Sequence, residues 1–187
     1  MNSSTITLSK LEAASRQLRT AITLWFDEGD AVSIHALAFA AYEIFHTVSE
    51  HRDPCRRDLL FDSDWIKDEY RRDWNKHIRR EANFFKHGDR DPEGSIDFNP
   101  DLTEWFILFA TYARGLCREP QSEEETLFTW WFQINRPHIL TEQGRKFVAD
   151  RIPVDELENI RTFSRRQFRE VWRQAGLLKK RPIVEIV

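Results

Sequence analysis

The segment Arg79-Arg80-Glu81-Ala82-Asn83-Phe84-Phe85-Lys86-His87-Gly88 sets an arginine and a histidine seven residues apart with an asparagine between them. At about 100° per residue, Arg80 and His87 differ by about two turns and project from one face of a helix. The apolar stripe Trp74, Ile78 and Phe85 lies roughly a third of a turn away, so the pair is placed to line a cleft or an interface. A guanidinium fork holds a phosphate and the charge that develops on it. An imidazole that titrates near neutrality moves protons at a ribose hydroxyl or at a leaving oxygen. Together they can act at a phosphate ester, and no cofactor is expected. Arg79 and Lys86 add binding charge, and Asp89 or Asp91 can orient the imidazole or pair with Arg90 or Arg79. From Arg71 to Arg90 seven Lys and Arg stand against three acids, a local +4 that attracts RNA. A plainer reading leaves Arg80 as a solvated cation and His87 as a helix-end residue favoured by the dipole.

These residues resemble the HEPN superfamily, all-helical proteins in which an Arg and a His, usually four to six residues apart, share one helix. Arg80 and His87 match the longest form of that pattern, and Asn83 to Gly88 matches the second part of the Arg-Asn-x-x-x-His-Gly version. Position 82 is Ala, so the Arg directly before the Asn is missing. The resemblance implies metal-independent phosphodiester transfer on RNA by a ribonuclease of toxin or defence type, with Arg80 and His87 central and Asn83 supporting, two motifs paired across a homodimer, and a protein antitoxin as neighbour. It equally implies a non-catalytic helical module that binds nucleic acid, nucleotide or an acidic protein.

Other constellations carry less. Glu43-x-x-His46 is half of the pattern that holds di-iron in helical bundles, and no second copy exists. His46 therefore reads as a core-edge histidine bonded to a neighbour. His87, Asp89 and Asp91 form a tight group of metal-type ligands, but a metal-binding bundle is the last alternative and no metal is expected. Arg161, Arg165, Arg169 and Arg173 recur every four residues as a basic edge. That edge either meets a nucleic acid backbone or faces water and the acidic Glu123-Glu124-Glu125 turn. Trp130-Trp131-Phe132 reads as an interface between helical layers, although consecutive helical directions allow one ring outside the core. No Gly-rich phosphate loop, nucleophile elbow or paired-Cys motif appears.

The elements that must position these groups read as helices. Ser9 with Glu12 is a capping box before Leu11, Ala14, Leu18, Ile22 and Trp25, and that helix should stop near Gly29. Asp30 caps a second helix through Ile34, Ala38, Ala41, Phe45 and Val48. His51 to Asp64 is a loop, and a third long helix runs from about Asp64 to His87 with Ile66, Tyr70, Trp74, Ile78 and Phe85 on one face. After a connection over 88–100, Asp101 caps a fourth helix, and Ser122 with Glu125 opens a short aromatic one. Thr141 to Asp150 is one more short helix. Pro153 starts the last, whose buried stripe is Leu157, Ile160, Ser164, Phe168, Val171 and Ala175. Ile183 to Val187 allows a strand or a docking tail.

The whole is an all-α helical bundle of about five to seven helices with a C-terminal helical extension, one domain over 1–187 (core 1–120, extension 121–187). At 187 residues with 14 Phe and 7 Trp, burial per residue is high, and 41% hydrophobic content excludes disorder. Net charge is −3, but Arg161 to Arg181 carries a local +7 and Asp91 to Glu125 a local −7, a division that favours an anionic partner or internal pairing. Cys55 and Cys117 form no metal or redox spacing and suit a reducing cytosol. Met1 to Ser9 is polar, which predicts no signal peptide. The apolar stretches, broken by His35, Glu43 or Arg114, predict no membrane span, so the expected location is cytoplasmic.

Overall fold

Ser9 opens the first helix as its spacing requires: its hydroxyl accepts from the Glu12 amide while the Glu12 carboxylate accepts from the Ser9 amide. The computed structural model describes residues 5–174; the tail Ile183 to Val187, and Ala175, lie outside the described residues. Within them the protein is all-α, with nine α-helices, two 3-10 turns and no strand. These are α1 (Lys10–Phe26), α2 (Ala31–Arg52), α3 (Asp68–Ile78), α4 (Arg80–Lys86), α5 (Thr103–Leu116), α6 (Glu123–Asn135), α7 (Glu142–Ala149), α8 (Val154–Ile160) and α9 (Arg165–Gln174).

α2 is the centre. It is capped by Asp30, whose carboxylate accepts from the Ser33 amide, and it lies between α1 and α5. Ala38 and Ala41 are fully buried at those contacts, so the small-residue run lets the neighbouring helices approach closely. By length and hydropathy Ala31–Arg52 is apolar enough to cross a membrane, more than the broken stretches suggest. The other side of α1 packs on α6 and α9. There Trp25 meets Phe26, Phe128 and Trp131 edge to face, with ring centroids 5.0, 5.2 and 4.3 Å away. Each such ring contributes about 1.5–3 kcal/mol by burial.

Nine helices exceed five to seven because two expected helices break. The third starts at Asp68 and divides at Arg79, which tethers it to α2. The Arg79 Nε donates to Glu43 Oε1 at 3.2 Å, and its guanidinium lies 4.0 Å from the Phe61 ring centre. The last divides over 161–164, where Ser164 and Gln167 form a new capping box. Its buried stripe is accordingly Leu157, Phe168 and Trp172, whereas Ser164 is exposed and Val171 largely so. Tyr70 is exposed rather than on an apolar face, because α3 is peripheral and buries no residue fully. α2 continues to Arg52, past the expected loop start. The fourth helix is capped by Asn99, whose side chain accepts from the Asp101 amide, and opens through a 3-10 turn over Pro100–Leu102. Trp130, Trp131 and Phe132 are all buried, since α6 has α1, α5, α7 and α9 around it.

Candidate functional site

α4 is short, and two aromatic contacts seat it. Phe85 reaches down to His35 of α2 (5.8 Å between ring centres) and to Phe98 (5.1 Å). This leaves the opposite side of α4 turned to solvent. Arg80, Asn83, Phe84 and His87 line one open groove there, of about 440 Å³. Its far wall is the connection after α4, contributing Arg90, Asp91, Ser95, Ile96 and Asp97. The turn over 91–94 is tight: the Gly94 amide donates to the Asp91 carbonyl at 3.0 Å, and a Cβ at Gly94 would fall on the Asp91 carboxylate.

Arg80 sits at the first position of α4 and is half exposed. One guanidinium nitrogen donates to the Asp97 carbonyl at 3.3 Å, and Nε lies 3.5 Å from Glu81 Oε1. Those contacts aim the fork across the groove without closing it. His87 is the C-cap residue of α4, its backbone amide bonded to the Asn83 carbonyl, and Asp89 Oδ1 lies 3.9 Å from its Nδ1. The Asn83 side-chain amide makes no hydrogen bond within the described residues. Arg79 turns away to Glu43, Lys86 is exposed outside the groove, and Asp89 rather than Asp91 stands beside the imidazole.

Three of the four arginines of the Arg edge bond or pack within the protein. The Arg161 Nε donates to the Ile134 carbonyl at 2.9 Å, and the Arg165 guanidinium lies 4.2 Å from the centre of the Trp25 ring. Arg169 is ion-paired with Asp27 at the end of α1, and Arg173 acts on the same carboxylate by charge. Bonding to Arg169 holds the Asp27 carboxyl below its usual range. The partner of this edge is thus the α1 terminus and not the acidic turn of α6. There Glu125 is buried and paired with Arg114; burial pushes its carboxyl up against the pull of that arginine.

A second polar cluster escaped sequence reasoning. Asp58 is buried under α2. Its Oδ1 accepts from the amides of Leu60 and Phe61, both at 2.9 Å, while Oδ2 accepts from the Tyr42 hydroxyl and lies 2.6 Å from His46 Nδ1. Asp62 returns the favour by accepting from the Asp58 amide at 2.8 Å. Burial would raise the Asp58 carboxyl, but the bonds from His46, Asp62, Tyr42 and the Leu60 amide hold it well below the carboxylate range. Burial would lower the imidazole of His46, and the bond and charge of Asp58 overcome it and raise it. His46, Asp58 and Asp62 have ligand-type atoms within 4.8 Å of one another. Every Asp58 oxygen is already engaged, so the group pins the loop after α2 rather than presenting a vacant donor set. Glu43 is committed to Arg79, which removes it from any di-iron pattern. No known protein family, curated protein or solved structure matches the chain.

Proposed function

We propose that the groove on α4 binds an RNA phosphodiester and that the protein is a HEPN-like, metal-independent endoribonuclease. The observation that carries this reading is that Arg80, Asn83 and His87 line one solvent-open groove. In it, the Arg80 fork takes the non-bridging oxygens of the scissile phosphate and the charge that grows on them. The Asn83 amide donates a further bond. His87 takes the proton of the 2′-hydroxyl; the 2′-oxygen bonds to phosphorus as the bond to the 5′-oxygen breaks. The leaving oxygen receives a proton from the imidazolium or from water, leaving a 2′,3′-cyclic phosphate and a 5′-hydroxyl. A homodimer would pair two such grooves, and a protein antitoxin covering them would silence both.

The test is incubation with structured and single-stranded RNA in excess chelator, beside folded His87→Ala and Arg80→Ala variants. Cleavage should survive the chelator, give cyclic-phosphate ends, and fall by about 10²–10⁴-fold without His87 and about 10²–10³-fold without Arg80. Equal cleavage by His87→Ala, or cleavage abolished by chelator, would overturn the mechanism. Salt-dependent binding with no turnover would make the groove a binding site.

A further inference from the structure

Trp65 is 92% exposed, beside Tyr70 at 59%. Such rings normally signal a loose loop, but this one is braced. Arg71 donates to the Ser63 carbonyl at 3.0 Å and to the Ile66 carbonyl at 2.8 Å, while holding Asp68 through its Nε. The Ile66 amide donates to the Ser63 carbonyl, and the Trp65 amide to the Ser63 hydroxyl. Trp74 behind it is fixed by its indole N–H on the Leu60 carbonyl at 2.8 Å. A rigid backbone therefore presents Trp65 and Tyr70 over a shallow apolar groove of about 470 Å³, floored by Trp74 and ending at His77. An exposed large ring on a fixed support is the arrangement of an interaction surface.

Two observations choose the occupant. The helical ladder runs through the break at Arg79: the Arg79 amide donates to the Asn75 carbonyl at 3.1 Å, and the Asn83 amide to the Arg79 carbonyl at 2.9 Å. The strip through Tyr70, Trp74 and His77 therefore leads into Arg80, Phe84 and His87, about 15 Å from Tyr70 to Arg80 along the axis. The charge on this stretch also fits an anion. Among the described residues Lys67, Arg72, Lys76, Lys86 and Arg90 have no ion pair, against Glu69 and Asp73 on α3 and Asp91 and Asp97 on the groove wall, and Arg80 adds its half-exposed charge. A chain with flat apolar faces and a repeating negative charge satisfies both observations.

We infer that Trp65 and Tyr70 form a stacking platform for unpaired bases of an RNA strand whose phosphate enters the Arg80–His87 groove. This rests on the reading that the groove takes RNA. Stacking on each ring is sequence-tolerant and excludes paired bases.

The experiment measures fluorescence anisotropy of a labelled 12-nucleotide oligo(U) and of an RNA duplex of equal length, in chelator, with cleavage followed separately. Trp65→Ala should weaken single-strand binding by about 5–150-fold, Trp65→Phe should recover most of it, and duplex binding should change little. Unchanged oligo(U) affinity in Trp65→Ala, or no binding by the wild type, overturns the platform. So does a dimer that dissociates in Trp65→Ala with RNA affinity intact, which would make the patch a self-contact. Trp65-dependent binding without any cleavage keeps the platform and rejects the nuclease. Cleavage with Trp65-independent binding does the reverse.

Discussion

His35 offers a sharp test of how this core is built. The side chain is fully buried, and neither ring nitrogen has a hydrogen-bond partner among the described residues. Phe39, Phe85, Phe98 and Phe106 surround it, with ring centres 6.3, 5.8, 5.2 and 4.7 Å away. Burial pushes its pKa down to about 4, and the one opposing influence is the charge of Glu81 on α4. Because the folded value lies below the unfolded value of about 6.5, the unfolded chain binds the extra proton first, and stability falls as pH drops from about 6.5 to about 4. The difference is about 2.5 units, worth about 3 kcal/mol in full and about 2 kcal/mol already at pH 5. The perturbation is His35→Leu, of similar volume and without a proton to gain. Urea unfolding of both proteins between pH 7 and pH 4 isolates the term, because the Asp27, Asp58 and His46 contributions cancel in the difference. The variant should match or exceed the wild type at pH 7 and gain on it by about 3 kcal/mol at pH 4. Parallel pH profiles would refute the reasoning, since a histidine free to protonate in place cannot be caged this way.

Two further outcomes follow from single residues. Arg114→Met leaves Glu125 as an unpaired buried carboxylate and should cost about 3–5 kcal/mol, while Arg114→Met with Glu125→Gln recovers most of it by keeping an acceptor for the Ser122 amide; equal denaturation midpoints for the two variants would contradict the pairing. Glu28 holds a left-handed φ of 56° at the end of α1, so Glu28→Gly should relieve about 1–2 kcal/mol of strain against about 0.4–1 kcal/mol of added unfolded-state freedom, a small net rise in thermal midpoint; a fall would count against it.

Helix starts were legible at several side-chain caps, though not at Asn99, which caps in place of the expected Asp101, nor at Ser164. Ser9 with Glu12, Asp30 and Ser122 with Glu125 all cap as their spacing requires, because each interaction is complete within four residues. The helix breaks were harder. Arg79 carries no Gly or Pro signal; the partners that tether it, Glu43 and Phe61, lie far back in the chain. The Ser164-x-x-Gln167 box was readable, yet the apolar spacing continues across it and masks it. Of the groove, Arg80, Asn83 and His87 were legible because three- and four-residue steps on one helix fix a common face. Its loop wall was not, since Asp97 reaches Arg80 through a turn with no period. Asp58 was invisible for the same reason: Tyr42 and His46 lie 16 and 12 residues earlier, and nothing local announces a buried carboxylate between them.

The division of charge along the chain resolves into two different physical cases. On α9 the arginines are drawn in: Arg165 lies on Trp25, and burial pushes its pKa down. Arg169 is the ion-pair partner of Asp27, and Arg166 donates to the Asp27 carbonyl. Four-residue spacing there serves docking of a C-terminal helix onto α1, with Phe168 and Trp172 burying the adjacent strip. On α3 and α4 several of the same residue types stay at the surface, because α3 is peripheral and the nearby acids Asp68, Glu43 and Glu81 are already taken by Arg71, Arg79 and Arg80. Among the described residues Arg72, Lys76, Lys86 and Arg90 have no ion pair, and Arg80 is held by contacts that leave it half exposed. A cation already satisfied by the fold cannot release counterions to a nucleic acid, whereas an unsatisfied one can. The salt dependence of any RNA binding should therefore respond to neutralising Lys76 or Lys86 and be indifferent to Arg165 or Arg169 in variants that keep the fold. It follows that a search for the binding face begins at α3 and α4, despite the denser basic run at the other end of the sequence.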